Sequence, residues 1–261
     1  MEEPDTPRGA YPSSMSVGLG TAAPLALDWA GGLLSGQVLP TRPVVGLSAL
    51  AAAAAVLYRP VWIVLRHVVT IAHEGGHAAV AAATGRRLHG VRLHSDTSGL
   101  TVSAGRPTGV GVVLTLLAGY LAPSVLGLGA AAALWAGHVR PVLWVAIVLL
   151  AALLLMIRNL FGVLSVVVTA GVLVAVTGWA PADWQGPAAY LLTWFLLLAG
   201  PRPVVELQTA RRRRLVAASD ADQLAGLTRV PGLVWVGVFL LLTVAALLGG
   251  GYLLVAPTPT S

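Results

Sequence analysis

The chain contains no cysteine and no lysine, and charged side chains make up only 10% of its 261 residues. Without cysteine it can form neither a disulfide nor a thiolate metal site, and it has no cysteine nucleophile. Soluble domains carry about 25% charged residues, whereas 57% of the residues here are hydrophobic. The composition therefore excludes an ordinary water-soluble globule and indicates a membrane protein. Any metal ion must bind to histidine, carboxylate or amide groups.

Seven apolar runs approach the length of about 20 residues that a helix needs to cross the hydrocarbon core. They predict an all-α polytopic membrane protein with about seven transmembrane helices. A membrane-embedded domain is expected over residues 44–256, after a polar tail and interfacial segment at 1–43 and before a C-terminal tail at 257–261. The runs are Val44–Tyr58, Val61–Ala83, Gly109–Ala136, Val142–Ile157, Leu160–Ala180, Ala188–Gly200 and Leu233–Val255.

The arginines are distributed unevenly over the segments that flank these runs. If every run crosses the bilayer, all of the 16 basic residues except Arg59, Arg66 and Arg140 fall on the side of the N-terminus. By the positive-inside rule that side is cytoplasmic. We therefore expect a multi-pass protein of the cell membrane with a cytoplasmic N-terminus and a cytoplasmic loop at 201–231. The net charge of +6 is then explained by the lipid bilayer as a partner, and nucleic-acid binding is not expected.

Residues 88–103, between the second and third runs, have a different pattern. Two partly alternating stretches flank the turn sequence Asp96-Thr97-Ser98-Gly99. Alternation of apolar and polar residues around such a turn is typical of a β-hairpin. The sequence therefore predicts a short β-hairpin directly after the helix of the second run.

That second run contains the pattern His73-Glu74-Gly75-Gly76-His77. On a helix, residues four apart share a face, so the two imidazoles can bind one tetrahedral zinc ion. Glu74 is offset by about 100° from His73 and need not bind the metal. The pattern predicts Zn²⁺ as cofactor, His73 and His77 as ligands, and Glu74 as the catalytic base that takes a proton from a zinc-activated water.

Membrane burial strengthens this interpretation. A five-residue pattern with three fixed positions also occurs by chance. Ionisable residues inside a membrane helix are costly unless they face a cavity, a partner or a metal. Three such residues within five positions therefore favour a metal site over a purely structural polar cluster.

Four segments together form a recognisable combination: Thr70-Ile71-Ala72-His73-Glu74-Gly75-Gly76-His77-Ala78, Ala118-Gly119-Tyr120-Leu121-Ala122-Pro123, Arg158-Asn159-Leu160-Phe161-Gly162 and Ser219-Asp220-Ala221-Asp222-Gln223-Leu224-Ala225. The combination resembles the site-2 protease family of intramembrane zinc metallopeptidases, in particular its compact prokaryotic branch. The resemblance covers roughly residues 61–232. It implies a peptidase whose hairpin pairs with an unwound segment of a substrate.

The third metal ligand stays open at this point. The resemblance implies an Asp in a Leu-Asp-Gly element on a later helix, and this sequence has no Leu-Asp-Gly. On the cytoplasmic side, Asp222 is the preferred candidate, with Asp220 and Asn159 as alternatives. A preceding serine makes helix capping another explanation for both aspartates. Asn159 stands where the family's Asp-bearing element is expected, but a neutral amide is a poorer zinc ligand than a carboxylate.

Other polar residues are assigned away from the metal. His67 is about 10 Å from Glu74 along the helix and points elsewhere, so Arg66 and His67 are expected to line a pore or to form hydrogen bonds. His89 and His94 are expected to be exposed on the hairpin. For Tyr120, packing is favoured over a role in orienting substrate or stabilising an oxyanion.

The sequence thus predicts a zinc-dependent metalloendopeptidase of the HExxH type that hydrolyses a membrane protein or membrane peptide in or next to the bilayer, with its active site near the cytoplasmic face. Two alternatives belong to other classes of protein. One is a catalytically inactive membrane scaffold that retains the metal motif. The other is a small transporter with a polar pathway through Arg66, His67 and Glu74. Substrate and oligomeric state do not follow from the sequence.

Overall fold

A computed structural model describes residues 39–213 and 219–257. Within these ranges the chain forms nine helices and two strands. Residues 1–38 of the predicted tail and interfacial segment (1–43), and residues 258–261, lie outside the described part of the chain. The elements are α1 (Arg42–Leu57), α2 (Arg59–Ala83), β1 (Arg87–Leu93), β2 (Gly99–Ala104), α3 (Val110–Trp135), α4 (Val139–Leu154), α5 (Leu160–Gly178), α6 (Ala182–Ala199), α7 (Pro201–Arg212), α8 (Asp220–Thr228) and α9 (Gly232–Val255).

Each predicted apolar run overlaps a helix, so a mostly helical fold with several candidate membrane spans is confirmed, but seven spans are not. Among the described helices, four stretches are long and apolar enough to cross a bilayer: α3, α5, the continuous stretch of α6 and α7, and α9. The count rises to five if α1 and α2 form one broken span. Helices α1 and α4 have 16 residues each, or about 24 Å, which is shorter than the hydrocarbon core of about 30 Å.

Helices α1 and α2 meet at a bend of 99°. The backbone of Tyr58, between them, is extended, with φ −77° and ψ 107°. Pro60 follows in the first turn of α2 and has no N–H with which to continue the hydrogen bonds of α1. The proline therefore ends one helix and starts the next, and the direction of α2 differs from that of α1.

Helix α2 crosses α3 closely at Gly76. A Cβ atom added at Gly76 would lie less than 3 Å from the Cβ of Ala122 and from the carbonyl oxygen of Ala118. Small residues at a helix contact let the two backbones approach, which is a common way of packing helices in membranes. This crossing places the His73–His77 face of α2 next to the middle of α3.

The predicted hairpin is confirmed as a two-stranded antiparallel sheet of β1 and β2, one residue longer at each end than expected. Val91 pairs with Thr101, and Leu93 with Gly99. The register shifts between Leu88 and Gly90, where β1 contains a bulge. In the connecting turn, Thr97 has a positive φ of 69°.

The outer edge of β1 is covered by the chain between α4 and α5. The N–H of Val91 donates to the carbonyl of Met156 at 2.8 Å, and the N–H of Arg158 donates to the carbonyl of Val91 at 2.8 Å. Asn159 continues this pairing with its side chain, accepting from the N–H of Leu93 at 3.1 Å and donating to its carbonyl at 2.6 Å. In the described residues no strand pairs with the outer edge of β2.

The segment 201–231, predicted as a cytoplasmic loop, contains the helices α7 and α8. Helix α6 passes into α7 at Gly200, whose backbone is itself helical with φ −58° and ψ −48°. Helix α8 packs against α3 and α9 through Ala221 and Leu224, both completely buried. Apolar residues of α8 thus bury themselves in the bundle, and this connection between α6 and α9 is largely helical.

The paired glycines of α2 give a test of the close crossing. Gly76→Ala should lower the free energy of unfolding by about 1–3 kcal/mol, because the new methyl group collides with α3. Gly75→Ala is the matched control, since its Cβ would meet only Leu153 Cδ2, at 3.8 Å; it should be neutral or slightly stabilising. Denaturant unfolding in detergent, followed by tryptophan fluorescence, measures both. Equal effects of the two substitutions would contradict the crossing.

Candidate active site

Three potential metal-binding atoms converge where α2 meets α8. His73 Nε2 and His77 Nε2 are 3.0 Å apart. Asp220 Oδ2 lies 3.4 Å from His73 Nε2 and 3.3 Å from His77 Nε2. All three side chains are mostly buried, with between 10% and 22% of each side-chain surface exposed. The spacing of the two histidines on α2 thus brings both rings to one carboxylate.

The orientation of His77 is fixed from behind by α3. Its Nδ1 lies 2.7 Å from the backbone carbonyl oxygen of Thr115. Because a carbonyl can only accept, Nδ1 carries a proton and donates it, so Nε2 is the ring nitrogen that faces His73 and Asp220 and that a metal ion could use. Histidine ligands of metal sites are commonly held through the second nitrogen in this manner.

Asp220 is presented by the first turn of α8. Ser219 is the N-cap residue, and its hydroxyl oxygen accepts from the N–H of Asp222, whose carboxylate in turn accepts from the N–H of Ser219. Arg211, near the end of α7, donates to both Ser219 Oγ and Asp222 Oδ1. This reciprocal capping box fixes the start of α8, and Asp220, the first helical residue, therefore faces the two histidines.

The interactions of Asp220 also set its charge. Burial raises its pKa, but hydrogen bonds and charge interactions with His73 and His77 outweigh burial and hold the pKa of Asp220 well below its usual range. A carboxylate that stays ionised is the form that binds a cation.

The structure moves the third candidate ligand from Asp222 to Asp220. Asp222, the preferred residue on sequence grounds, is occupied by the capping box and by Arg211. Asn159, the other alternative, uses both ends of its amide on the backbone of Leu93. The pattern Ser-x-x-Asp at Ser219–Asp222 is a recognised capping signature. It could have identified Asp222 as the capping residue and left Asp220 free.

The cluster fits a zinc ion. Ligand atoms about 2.0–2.1 Å from a tetrahedral zinc are about 3.3 Å from one another, and the three atoms here have that spacing. Gly119 on α3 leaves the necessary room, since a Cβ there would lie less than 3 Å from the Nε2 atoms of both histidines. Two imidazoles and one carboxylate form a donor set typical of catalytic zinc, which leaves a fourth position open.

Glu74 lies beside the cluster and is only 4% exposed. Its carboxylate meets β2: Thr101 Oγ1 donates to Glu74 Oε2 at 2.6 Å, and a Cβ at Gly99 would lie less than 3 Å from Glu74 Oε1. Neither contact was predicted from the sequence, and neither was the contact of Thr115 with His77. Each of these contacts joins residues far apart in the chain: Glu74 and Thr101 are separated by 27 positions, and His77 and Thr115 by 38. Local sequence patterns therefore could not indicate them.

An open cleft leads to His73 and Glu74. It is lined by Arg66 and Thr70 of α2, by the hairpin turn, by Tyr120 and Pro123 of α3, and by Pro203 of α7. Arg66, one of the lining residues, forms an ion pair with Glu206 of α7 at 3.3 Å. Glu206 also accepts a hydrogen bond from Trp62 Nε1 at 2.9 Å.

The remaining polar residues singled out in the sequence lie around this site in different ways. Tyr120 packs edge-on against His73, with ring centres 4.8 Å apart, and stacks on Phe239 at 5.0 Å. His67 packs against Phe161 instead of joining the cluster. His89 is exposed, and His94 lies 3.2 Å from the hydroxyl of Ser98 in the hairpin turn. The structure brings none of these three histidines to Asp220.

Comparison with known proteins identifies a family. The model of a protein family described as Peptidase M50B-like matches residues 46–250. This range includes His73, Glu74, His77 and Asp220. No curated protein and no solved structure matches the chain.

The capping role of Asp222 gives a pH-dependent prediction. Burial raises the pKa of Asp222, but its hydrogen bonds with Ser219 and Arg211 outweigh burial and lower it. A lowered pKa means that the ionised carboxylate stabilises the fold above about pH 4, and that this stability is lost as the pH falls through the folded-state pKa. Asp222→Ala should therefore cost about 0.5–2 kcal/mol near pH 7.

The difference between wild type and Asp222→Ala should shrink in acid, because protonation removes the same charge from the wild-type protein. Unfolding in detergent at a series of pH values measures it. A difference that is absent at pH 7, or that grows as the pH falls, would contradict the capping role.

Proposed function

Because the chain belongs to the Peptidase M50B-like family, a family of site-2 proteases, we propose that it is an intramembrane zinc metallopeptidase. It hydrolyses a peptide bond of a membrane protein or membrane peptide in or next to the bilayer. The observation that supports this most strongly is the convergence of His73, His77 and Asp220 beside the buried carboxylate of Glu74.

In this proposal His73, His77 and Asp220 hold the zinc ion. Zinc at this position would supply a Lewis acid that polarises the scissile carbonyl and lowers the pKa of water. Thr115 holds the ring of His77 in the orientation that ligation needs. Gly119 keeps the space beside both imidazoles free of a side chain.

Glu74 acts as the general base and then as the general acid. Its carboxylate accepts a proton from the attacking water and gives it to the leaving nitrogen of the peptide. Its position one residue after His73 points it away from the shared face of the two imidazoles, so it can reach the reacting atoms without binding the metal. Glu74 is only 4% exposed and is in contact with β2, which limits access of bulk water to it.

The substrate reaches the site as an extended strand. A transmembrane helix hides its carbonyls in hydrogen bonds and must unwind locally before hydrolysis. The outer edge of β2 offers backbone groups to such a strand, in the edge-addition mode of peptide recognition. Since Thr101 and Gly99 of β2 contact Glu74, a strand added there lies close to the base.

The arginines support a cytoplasmic location of the site, in the cell membrane. Arg211 and Arg212 lie in the last turn of α7, and Arg229 ends α8. Because Asp220 lies in α8, the third ligand belongs to the Arg-rich side, which the positive-inside rule places in the cytoplasm. The lipid bilayer, rather than nucleic acid, is then the partner of this basic surface.

Glu74→Gln tests whether the protein is a peptidase. The variant should keep its zinc but cleave single-span membrane peptides in liposomes about 10²–10⁴-fold more slowly, because the amide cannot accept the proton. Asp183→Asn, at the start of α6, is a matched control that should retain wild-type cleavage. Zinc binding with no cleavage by the wild-type protein would indicate an inactive scaffold instead. Ion or solute flux without a zinc requirement would indicate the transporter.

A second pair of variants tests the third ligand. Asp220→Ala should weaken zinc binding by about 10-fold or more, because a carboxylate ligand is lost from a three-ligand site. Asp222→Ala should still bind about one zinc per chain at saturation, since its carboxylate points to Arg211. Zinc content after dialysis, measured by inductively coupled plasma mass spectrometry, distinguishes them. Loss of zinc from Asp222→Ala alone would overturn the ligand assignment.

A further inference from the structure

The contact between the hairpin and Glu74 has a function beyond packing. We propose that Thr101 is a positioning residue: its hydroxyl holds one oxygen of the Glu74 carboxylate, so that the other oxygen is aimed at the reaction. The proposal rests on the proposed peptidase function, because it assigns Glu74 as the base. The hydroxyl of Thr101 acts on the substrate only through Glu74 in this role.

The hydrogen bond has the geometry of a strong one. Thr101 Oγ1 lies 2.6 Å from Glu74 Oε2, which is within the range of charge-assisted O–H···O⁻ bonds. The same hydroxyl also lies 3.2 Å from the backbone carbonyl of Glu74. The carboxylate and the backbone carbonyl of Glu74 are both acceptors and together orient the hydroxyl. Because an ionised carboxylate can only accept, the Thr101 hydroxyl is the donor.

The second oxygen of the Glu74 carboxylate, Oε1, packs against the same strand. Gly99 lies against Oε1, and a Cβ there would collide with Oε1, Cγ and Cδ of Glu74. Residues 99 and 101 of β2 lie on one face of the sheet because side chains alternate along a strand. Leu100 and Val102, on the opposite face, are exposed. One strand thus contacts both oxygens, and Gly99 and Glu74 together line the cleft.

Positioning is needed because the last torsion of a glutamate side chain has no sharp minimum. Without a donor, the carboxylate can rotate and present its oxygens in many directions. The hairpin is a firm support for this donor. Asn159 ties Leu93 of β1 to the start of α5, and Thr70 Oγ1 of α2 donates to the carbonyl of Thr97 at 3.0 Å. The hairpin that carries Thr101 is therefore anchored at β1 and at its turn.

Kinetics of three variants test the proposal. Thr101→Val keeps the shape but loses the hydroxyl, and should lower kcat about 10-fold or more with KM changed less than about 2-fold, since the missing contact acts on the base and not on substrate binding. Thr101→Ser restores the donor and should recover most of kcat. Thr169→Val is the matched control, because the Thr169 hydroxyl donates within its own helix, to the carbonyl of Ser165. It should behave as wild type.

An infrared measurement gives a readout that does not depend on cleavage. The carboxylate stretch of Glu74 is the band that Glu74→Gln removes. That band should shift in Thr101→Val, return in Thr101→Ser and stay unchanged in Thr169→Val. If Thr101→Val does not fold, Thr101→Ala replaces it.

The outcomes separate the two proposals. A wild-type protein that cleaves no substrate overturns the peptidase function, and the infrared band then still decides whether Thr101 holds the carboxylate. Wild-type kcat in a folded Thr101→Val, or an unshifted Glu74 band, overturns the positioning role while the peptidase function stands. A serine variant as slow as the valine variant also overturns it, because the donor would then not be the cause.

Discussion

Ionisable side chains inside an apolar helix bundle are stable only if each has a partner, because burial without one costs several kcal/mol. Helix α2 carries three of them within five residues. His77 is supported by the Thr115 carbonyl, the two histidines face Asp220, and Glu74 receives the hydroxyl of Thr101. These partners come from α3, α8 and β2. The polar face of α2 therefore requires these three elements to assemble around it, and the position of the hairpin and of α8 follows from this requirement.

Part of this arrangement could be predicted from local patterns. The spacing of His73 and His77 places both on one face of α2, and alternation around residues 96–99 indicates the hairpin, which the structure confirms. The number of spans could not be obtained in the same way. Hydropathy indicates how long an apolar segment is. It does not indicate that α1 and α2 meet at a bend of 99°, or that α6 and α7 form one continuous helical stretch. Those features depend on the backbone at Tyr58 and Gly200.

The site itself shows where local patterns end. Asp220 and Asp222 are two residues apart and chemically identical, and only their positions in the first turn of α8 separate them: the third helical residue closes the capping box, while the first is free to face α2. Thr101 carries no sequence signature, and the segment that contains Gly119 resembles the family without indicating a role for the glycine. Both residues matter because folding brings them to Glu74 and to the imidazoles. The roles of His73, His77 and Glu74 in zinc chemistry stay a prediction, supported by the family and by the spacing of the three donor atoms.

The hairpin joins two parts of the proposed mechanism. Its β1 edge is occupied by the chain at Met156–Asn159, so an extended substrate segment can pair only with β2. The same strand holds the Glu74 carboxylate through Thr101. In this proposal, movement of β2 on substrate pairing would reach the base through the hydrogen bond of Thr101 and the contact of Gly99. Backbone pairing does not depend on side-chain identity. In this proposal the site would therefore select a substrate segment by whether it is unwound, and the strand that binds the segment would also align the base.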